Sequence, residues 1–319
     1  MISPRSRLNL LGGNYIDRLA HWRKDEARWR AALADPNTLF VPVWRSQNLV
    51  RPVHGSMQAM LVSSIERVVQ VDAEEVVLLG EFHQRTCFAI ALTTETLPGF
   101  EEQVEAHDLR TIAGELPAEE AGLLAYARAM IHWRDRHRFC GRCGAATQAL
   151  QGGHVRKCTN MTCGEQVFPR IDPAIIVLIT DGERTLLGRQ ASWPKGRYST
   201  IAGFVEPGES LEDAVIRESA EETGVRVEHV EYHSSQPWPF PSSLMLGFIA
   251  TAATTEIRLA DAELEDARWL TRQQIAAGEV ALPLTHSISF RLIEDWYNEG
   301  ADIPLREQPG VRMWRLPTR

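Results

Sequence analysis

Three glutamates in the stretch RESAEETG, Glu218, Glu221 and Glu222, are spaced i, i+3 and i+4. On a helix such positions are neighbours, and like charges there cost a few tenths of a kcal/mol per pair. Carboxylates gathered this way either form a solvated acidic face or supply the hard oxygen ligands that a divalent ion such as Mg²⁺ takes. A second cluster lies upstream in CGRCGAATQALQGGHVRKCTNMTCG, where Cys140-x2-Cys143 and Cys158-x4-Cys163 are separated by fourteen residues. Two short cysteine pairs joined by a strand-length spacer give the four thiolates of a closed tetrahedral zinc site, which stabilises a fold and leaves no position open for catalysis. A redox-active pair is the competing reading. Gly144 and Gly164 suit the tight turns of metal-binding knuckles, and with four thiolates present His132, His137 and His154 are expected to be spectators.

The elements that must position these groups can be read from periodicity. On a wheel of about 100° per residue, Leu211, Val215, Glu218 and Glu222 fall on one stripe, apolar in its first half and acidic in its second. A merely solvated face would not continue a buried stripe, so partly desolvated carboxylates that need a cation or protons are expected. Ser210 with Asp213 forms a capping pair at the start of this helix, and Gly224 supplies the left-handed residue that closes it. The runs PAIIVLITDGERTLLGRQ, LMLGFIATAA and DARWL predict strands, and HSISFRLIEDWYNEG a closing helix. Upstream, TLFVPVWRSQNLV, AMLVSSIERVVQ, EVVLLGEFH and TCFAIALTT predict a β-rich region with Cys87 as a buried core thiol. Leu123, Leu124, Tyr126, Ala127, Met130, Ile131 and Trp133 recur at helical spacing and predict a connecting helix that runs into the cysteines.

A chain of 319 residues predicts two or three domains, and its composition is that of an ordinary globular protein. No apolar run approaches the roughly 18–20 residues of a membrane span, and LNLL is too short for a leader core, so the cytoplasm is expected. A net charge of −8 argues against a protein that coats nucleic acid through its phosphates. Arg134, Arg136, Arg138 and Arg142 flank the cysteines and read as the solvated end of a helix, with a nucleic-acid contact as the alternative. No repeat is evident.

The full stretch GFVEPGESLEDAVIRESAEETGV resembles the Nudix box: Gly203, Glu209, Arg217, Glu218, Glu221, Glu222, Gly224 and Val225 fall at its fixed positions. Ser219 departs from the pattern, where an apolar residue is usual. The resemblance implies hydrolysis of a nucleoside diphosphate linked to another group. Glu218 and Glu222 would hold Mg²⁺ or Mn²⁺, more than one ion being expected, with Glu221 shared between metal binding and base duty. Arg217 would pair with Glu209, and the carbonyl of Ala202 would add a backbone ligand.

Past the box, SQPWPFPSS is similar to the signature of the NADH pyrophosphatase subfamily. Its alternating prolines predict a stiff ridge that is neither helix nor sheet. Gln236, Pro237, Trp238, Pro239, Phe240, Pro241, Ser242 and Ser243 would then line the nucleotide pocket, and Phe168 would stack on a base. Glu263 would add a carboxylate to the metal cluster, with Glu265 as its rival, and Ser289 would contact substrate through its backbone. The wider spacing of the second cysteine pair enlarges that knuckle. Gly153 stands where some relatives place a ligand-contacting glutamate.

The expected architecture is α/β: a β-rich N-terminal domain (1–115), a connecting helix (116–138), a four-cysteine zinc ribbon (139–168), a Nudix α/β/α sandwich with a mixed sheet (169–300), and a tail (301–319). The expected activity is metal-dependent hydrolysis of NADH or NAD to nicotinamide mononucleotide and AMP, with one structural Zn²⁺ per chain and a homodimer implied by the resemblance. Removal of an NAD cap from RNA by the same site is the alternative. A non-catalytic nucleotide sensor is the alternative of another class, disfavoured because every box glutamate is present. No membrane partner is expected.

Overall fold

The computed structural model describes residues 4–63, 75–100, 103–259 and 263–314. The part of the expected strand AMLVSSIERVVQ beyond Ser63, and the last five residues of the tail, lie outside the described residues. The chain divides into two compact units: one of Met1–Asn9, Asp172–Pro237 and Ser243–Arg319, the other of Leu10–Ile171 with Trp238–Ser242.

A short helix, α1 (Pro4–Arg7), belongs to the former unit. The other unit begins with α2 (Glu26–Leu33), which the sequence reading missed although Asp25 caps it by accepting from the Arg28 amide at 3.1 Å. Its sheet comprises β1 (Leu39–Trp44), β2 (Gln47–Val53), β3 (Ser56–Ala59), β4 (Val77–Phe82), β5 (Arg85–Leu92) and β6 (Glu105–His107). The order is β3-β2-β1-β5-β4, with β6 on β2, and the central pair β1·β5 is parallel. A single turn, α3 (Leu109–Ile112), leads to α4 (Ala118–Arg136). Leu123, Leu124, Ala127, Met130, Ile131 and Trp133 of α4 pack with Val41, Val43, Cys87 and Ala89 of the sheet in one core. Cys87 is fully buried there, and desolvation pushes its thiol up to about 12.

The cysteine region folds as three antiparallel strands, β7 (Thr147–Leu150), β8 (Val155–Cys158) and β9 (Gln166–Val167). Arg134 corrects the expectation of a solvated basic helix end. It is buried and donates to the Glu75 carbonyl at 2.6 Å and to Asp135 at 2.8 Å, whereas Arg136, Arg138 and Arg142 are exposed.

The remaining elements are β10 (Asp172–Thr180), β11 (Arg184–Arg189), β12 (Ile201–Phe204), α5 (Leu211–Thr223), β13 (Val227–Trp238), β14 (Ser243–Ala252), β15 (Asp266–Thr271), α6 (Arg272–Ala276), β16 (Ala281–Leu282), α7 (Ile288–Glu299) and β17 (Arg312–Met313). The main sheet runs β13-β14-β10-β11-β15, with β12 on β10. It is mixed: β10 is parallel to β14 and antiparallel to β11 and β12. Strand alternation builds the sandwich. Ile175, Val177 and Ile179 of β10 pack with Ala214 and Val215 of α5. Ile176 and Leu178, one residue out of phase, pack with Ile288, Leu292 and Trp296 of α7.

The proline-rich segment corrects the expectation of a stiff ridge that is neither helix nor sheet. Ser234–Trp238 completes β13, and Pro239–Ser242 turns into β14. A proline is tolerated there because β13 is the edge strand, where a missing N–H leaves no ladder bond unmade.

Candidate active site

The acid helix α5 starts and stops as its residues require. Ser210 and Asp213 form a reciprocal capping box, and Gly224 closes the helix at φ 72°. Glu218 and Glu222 are 8% and 3% exposed, whereas the Glu221 side chain is 56% exposed, so the mixed stripe faces inward and Glu221 stands at its shoulder. Ser219 sits fully buried where the box has an apolar residue, and its hydroxyl donates to the Val215 carbonyl one turn back at 2.6 Å. That internal bond lets a polar side chain occupy an apolar position.

Arg217 organises the cluster. Its guanidinium donates to both oxygens of Glu209, at 2.5 and 3.0 Å, and to the Phe204 carbonyl at 2.9 Å, joining the loop after β12 to the helix. The same side chain donates to Glu218 at 2.9 Å and Glu221 at 3.0 Å. The bond to Arg217 holds Glu209 below the usual carboxylate range. Burial pushes Glu218 the other way, against the pull of Arg217, and the charges of Glu263 and Glu221 add to the rise. Gly203 is the floor of this arrangement: a Cβ on it would lie 1.9 Å from Cδ of Glu218. Ala202 and Gly203 are fixed in register opposite Ile176 and Ile175 of β10.

Glu263 and Glu265, the two candidate carboxylates, differ in their partners. Glu265 forms an ion pair with buried Arg189, while Glu263 is exposed and acts electrostatically on Glu218. Gln236 is fully buried and its amide is committed to the start of α7: it donates to the His286 carbonyl at 2.7 Å and accepts from the Ile288 amide at 2.8 Å. The hydroxyl of Ser289 is likewise taken up by Ser199 and Thr200, at 2.8 Å from each side-chain oxygen. Pro237 is exposed on β13, and Ser243 opens β14 opposite Asp172. Trp238, Pro239, Phe240, Pro241 and Ser242 belong to the other unit, where Trp238 and Phe240 pack edge to face, centroids 5.0 Å apart, against its core. There Arg128 donates to the Pro239 carbonyl at 2.9 Å with its guanidinium 5.1 Å from the Phe240 ring centre. Phe168, also in that unit, is 48% exposed.

The four cysteine sulfurs lie within 4.8 Å of one another, with Cys140–Cys163 at 3.9 Å and Cys143–Cys158 at 3.4 Å. Tetrahedral zinc with Zn–S of about 2.3 Å requires sulfurs about 3.8 Å apart, so the donor set fits. The glutamates fit a divalent ion by ligand chemistry and by burial: desolvation pushes Glu218 up despite Arg217, and a cation would stabilise its charged form. The ribbon hairpin also has a definite place. Leu78 of β4 donates to the Gly152 carbonyl at 2.8 Å, and His154 bonds the Leu78 carbonyl at 2.7 Å. A Cβ on Gly153, which has φ 84°, would meet the Val76 carbonyl at 2.7 Å. Glycine stands at 153 because the hairpin packs on β4.

A mixed sheet held between α5 and α7, with a glutamate-rich, arginine-laced helix against a glycine strand, defines the Nudix class of fold and site. Residues 170–293 match the NUDIX domain, 135–168 the NADH pyrophosphatase zinc ribbon domain, and 37–133 an NADH pyrophosphatase-like rudimentary NUDIX domain. The chain is 37% identical over 266 residues to "NAD-capped RNA hydrolase NudC" of Mycobacterium bovis, covering 79% of this chain and 83% of that one. It is 40% identical to the protein of that name from Deinococcus radiodurans, covering 70% and 77%. It is 44% identical to human "NAD-capped RNA hydrolase NUDT12" over 57% of this chain, and spans 43% of that longer relative. The chain belongs to the Nudix hydrolase family, in its NADH pyrophosphatase subfamily.

The rudimentary NUDIX match corrects the reading that the chain has no repeat. Each sheet contains one parallel pair, β1·β5 and β10·β14, with antiparallel β2 and β4 beside the former and antiparallel β11 and β12 on β10 of the latter. The sequence concealed this because α4 carries none of the box beyond an acidic start, Glu119 and Glu120.

Proposed function

We propose that this chain hydrolyses the pyrophosphate bond of NADH and NAD, giving nicotinamide mononucleotide and AMP. The observation that carries the reading is the complete α5 cluster, with Glu218 and Glu222 buried and Glu218 packed against Gly203. When bound, Mg²⁺ or Mn²⁺ would neutralise the pyrophosphate and lower the pKa of a water molecule. In this proposal Glu218, Glu221, Glu222, Glu263 and the Ala202 carbonyl hold the ions. Arg217, through Glu209, keeps the loop after β12 on the helix. Glu221, the exposed member, is best placed to take a proton from water. Water adds to one phosphorus, the bridging P–O bond breaks, and the second phosphate leaves with that oxygen.

Phe168 and the Trp238–Ser243 segment would receive the base and ribose, while Gln236 and Ser289 would act by fixing the backbone at α7. One Zn²⁺ would occupy the ribbon. A cytoplasmic homodimer belongs to the same proposal; among the described residues no helix is long and apolar enough to cross a membrane.

Removal of an NAD cap from RNA is the second reading, favoured by the names of the relatives at 37–44% identity. Free dinucleotide and capped RNA share the scissile bond. Hydrolysis of NADH, NAD, ADP-ribose and an NAD-capped RNA, with Mn²⁺ or Mg²⁺, on wild type and Glu222→Gln, separates these readings. Fast loss of the dinucleotides over ADP-ribose, reduced by at least about 10²-fold in the variant, is expected. A preference for capped RNA would establish the second reading, and no metal-dependent hydrolysis of any substrate would overturn both.

A further inference from the structure

Arg189 ends β11 and is buried, yet nothing in the Nudix box accounts for it. Its Nη1 is ion-paired with Glu265, its Nη2 donates to the Trp193 carbonyl at 2.6 Å, and its own carbonyl accepts from the Glu265 amide at 2.9 Å. Both ends of the residue thus grip Glu265, and the guanidinium ties that grip to the loop containing Trp193. The two neighbours of Glu265 are also anchored. Leu264 is buried with Ile201 and Val215, and one of its methyls lies 2.8 Å from where a Cβ on Gly188 would stand. Asp266 accepts from the Tyr198 hydroxyl and, at 2.7 Å, from Arg268. Three consecutive residues are therefore fixed immediately after Glu263, an exposed carboxylate. Ile201 and Val215, which share that core with Leu264, belong to β12 and α5, the two elements that carry Gly203 and the acid cluster.

We infer that Arg189 is a positioning residue for the metal site: by gripping Glu265, next to the Leu264 that packs in the core of β12 and α5, it fixes where Glu263 stands relative to the acid helix. The inference rests on the reading that the α5 cluster takes a divalent cation. Groups that orient a metal ligand without touching the metal typically contribute 10–100-fold in metal affinity. Loss of the Arg189–Glu265 pair should therefore weaken the divalent site more than it weakens substrate binding.

The test is a Mn²⁺ titration followed by the electron paramagnetic resonance signal of free Mn²⁺. It compares wild type with Glu222→Gln, Glu263→Gln, Arg189→Met, Glu265→Gln and the double variant Arg189→Met/Glu263→Gln. The expected result is that Arg189→Met and Glu265→Gln each raise the Mn²⁺ dissociation constant about 10-fold, with KM for NADH little changed. The double variant should bind Mn²⁺ no worse than Glu263→Gln alone, because Arg189 acts through Glu263. Unchanged Mn²⁺ affinity in Glu265→Gln, or additive losses in the double variant, would overturn the inference. Glu265→Gln keeps the test decisive if Arg189→Met does not fold. A wild type with no Mn²⁺ site sensitive to Glu222→Gln would remove the proposed function together with the inference, whereas failure confined to the Arg189 and Glu265 arms removes the inference alone.

Discussion

At position 203 a hydrogen stands where any other residue would place a carbon 1.9 Å from Glu218 Cδ and its Oε1. The obstructing atoms are the end of a flexible side chain, so Gly203→Ala should fold and should displace Glu218 instead. A misplacement of about 1 Å at reacting groups costs about 10²-fold in rate, and a loss of that order in kcat, with the thermal melt close to wild type, is the expected outcome. A melt lowered in parallel with activity would mean that the backbone had moved. Ser219 makes the opposite case. Its hydroxyl bonds only the preceding turn, so Ser219→Ala restores the apolar character usual at that position and should leave activity intact and stability within about 1 kcal/mol in urea denaturation.

Between elements, the hairpin joining β7 to β8 depends on one buried imidazole. Burial holds His154 at about 4, below the ordinary 6.5, although its bond to the Leu78 carbonyl opposes the shift and the charges of Arg23 and Arg18 reinforce it. With the folded pKa depressed, the unfolded chain binds the extra proton first as pH falls. The contribution is therefore intact above about 6.5 and is lost progressively towards pH 4. The shift corresponds to on the order of 3 kcal/mol. His154→Gln keeps a donor for the Leu78 carbonyl and should flatten this limb when unfolding free energies are measured in urea between pH 4 and 7. An equally steep limb in the variant would assign the acid sensitivity elsewhere.

For the molecule as a whole, the ribbon and the β-rich sheet lie in one unit, and the ribbon hairpin is hydrogen-bonded to β4. Metal that gathers Cys140, Cys143, Cys158 and Cys163 should therefore stabilise more than the ribbon. Elemental analysis should find about one zinc per chain, and Cys158→Ser should abolish it. The variant should also expose the Gln151–His154 turn to amide exchange together with β4. Protection of β4 unchanged in metal-free protein would show that the sheet stands without the zinc. The net charge of −8 belongs to this scale as well, since it predicts weak affinity for RNA lacking a cap.

The build of α5 was legible in the sequence because it is local: capping, an apolar-to-acidic stripe and a left-handed terminal glycine all act within one helix. The four cysteines were legible for the same reason, since thiolate type and spacing alone prescribe a closed tetrahedral donor set. What only the tertiary structure decided involves partners distant in the chain. Arg189 meets Glu265 across adjacent strands, and Gln236 meets the start of α7 fifty residues on. Gly153 owes its identity to the Val76 carbonyl just before β4. The fate of the proline-rich segment also hung on topology, because a proline that would break an interior strand is harmless on an edge. Spacing along a chain determines which residues share a face; which face they meet is settled by the order in which strands assemble.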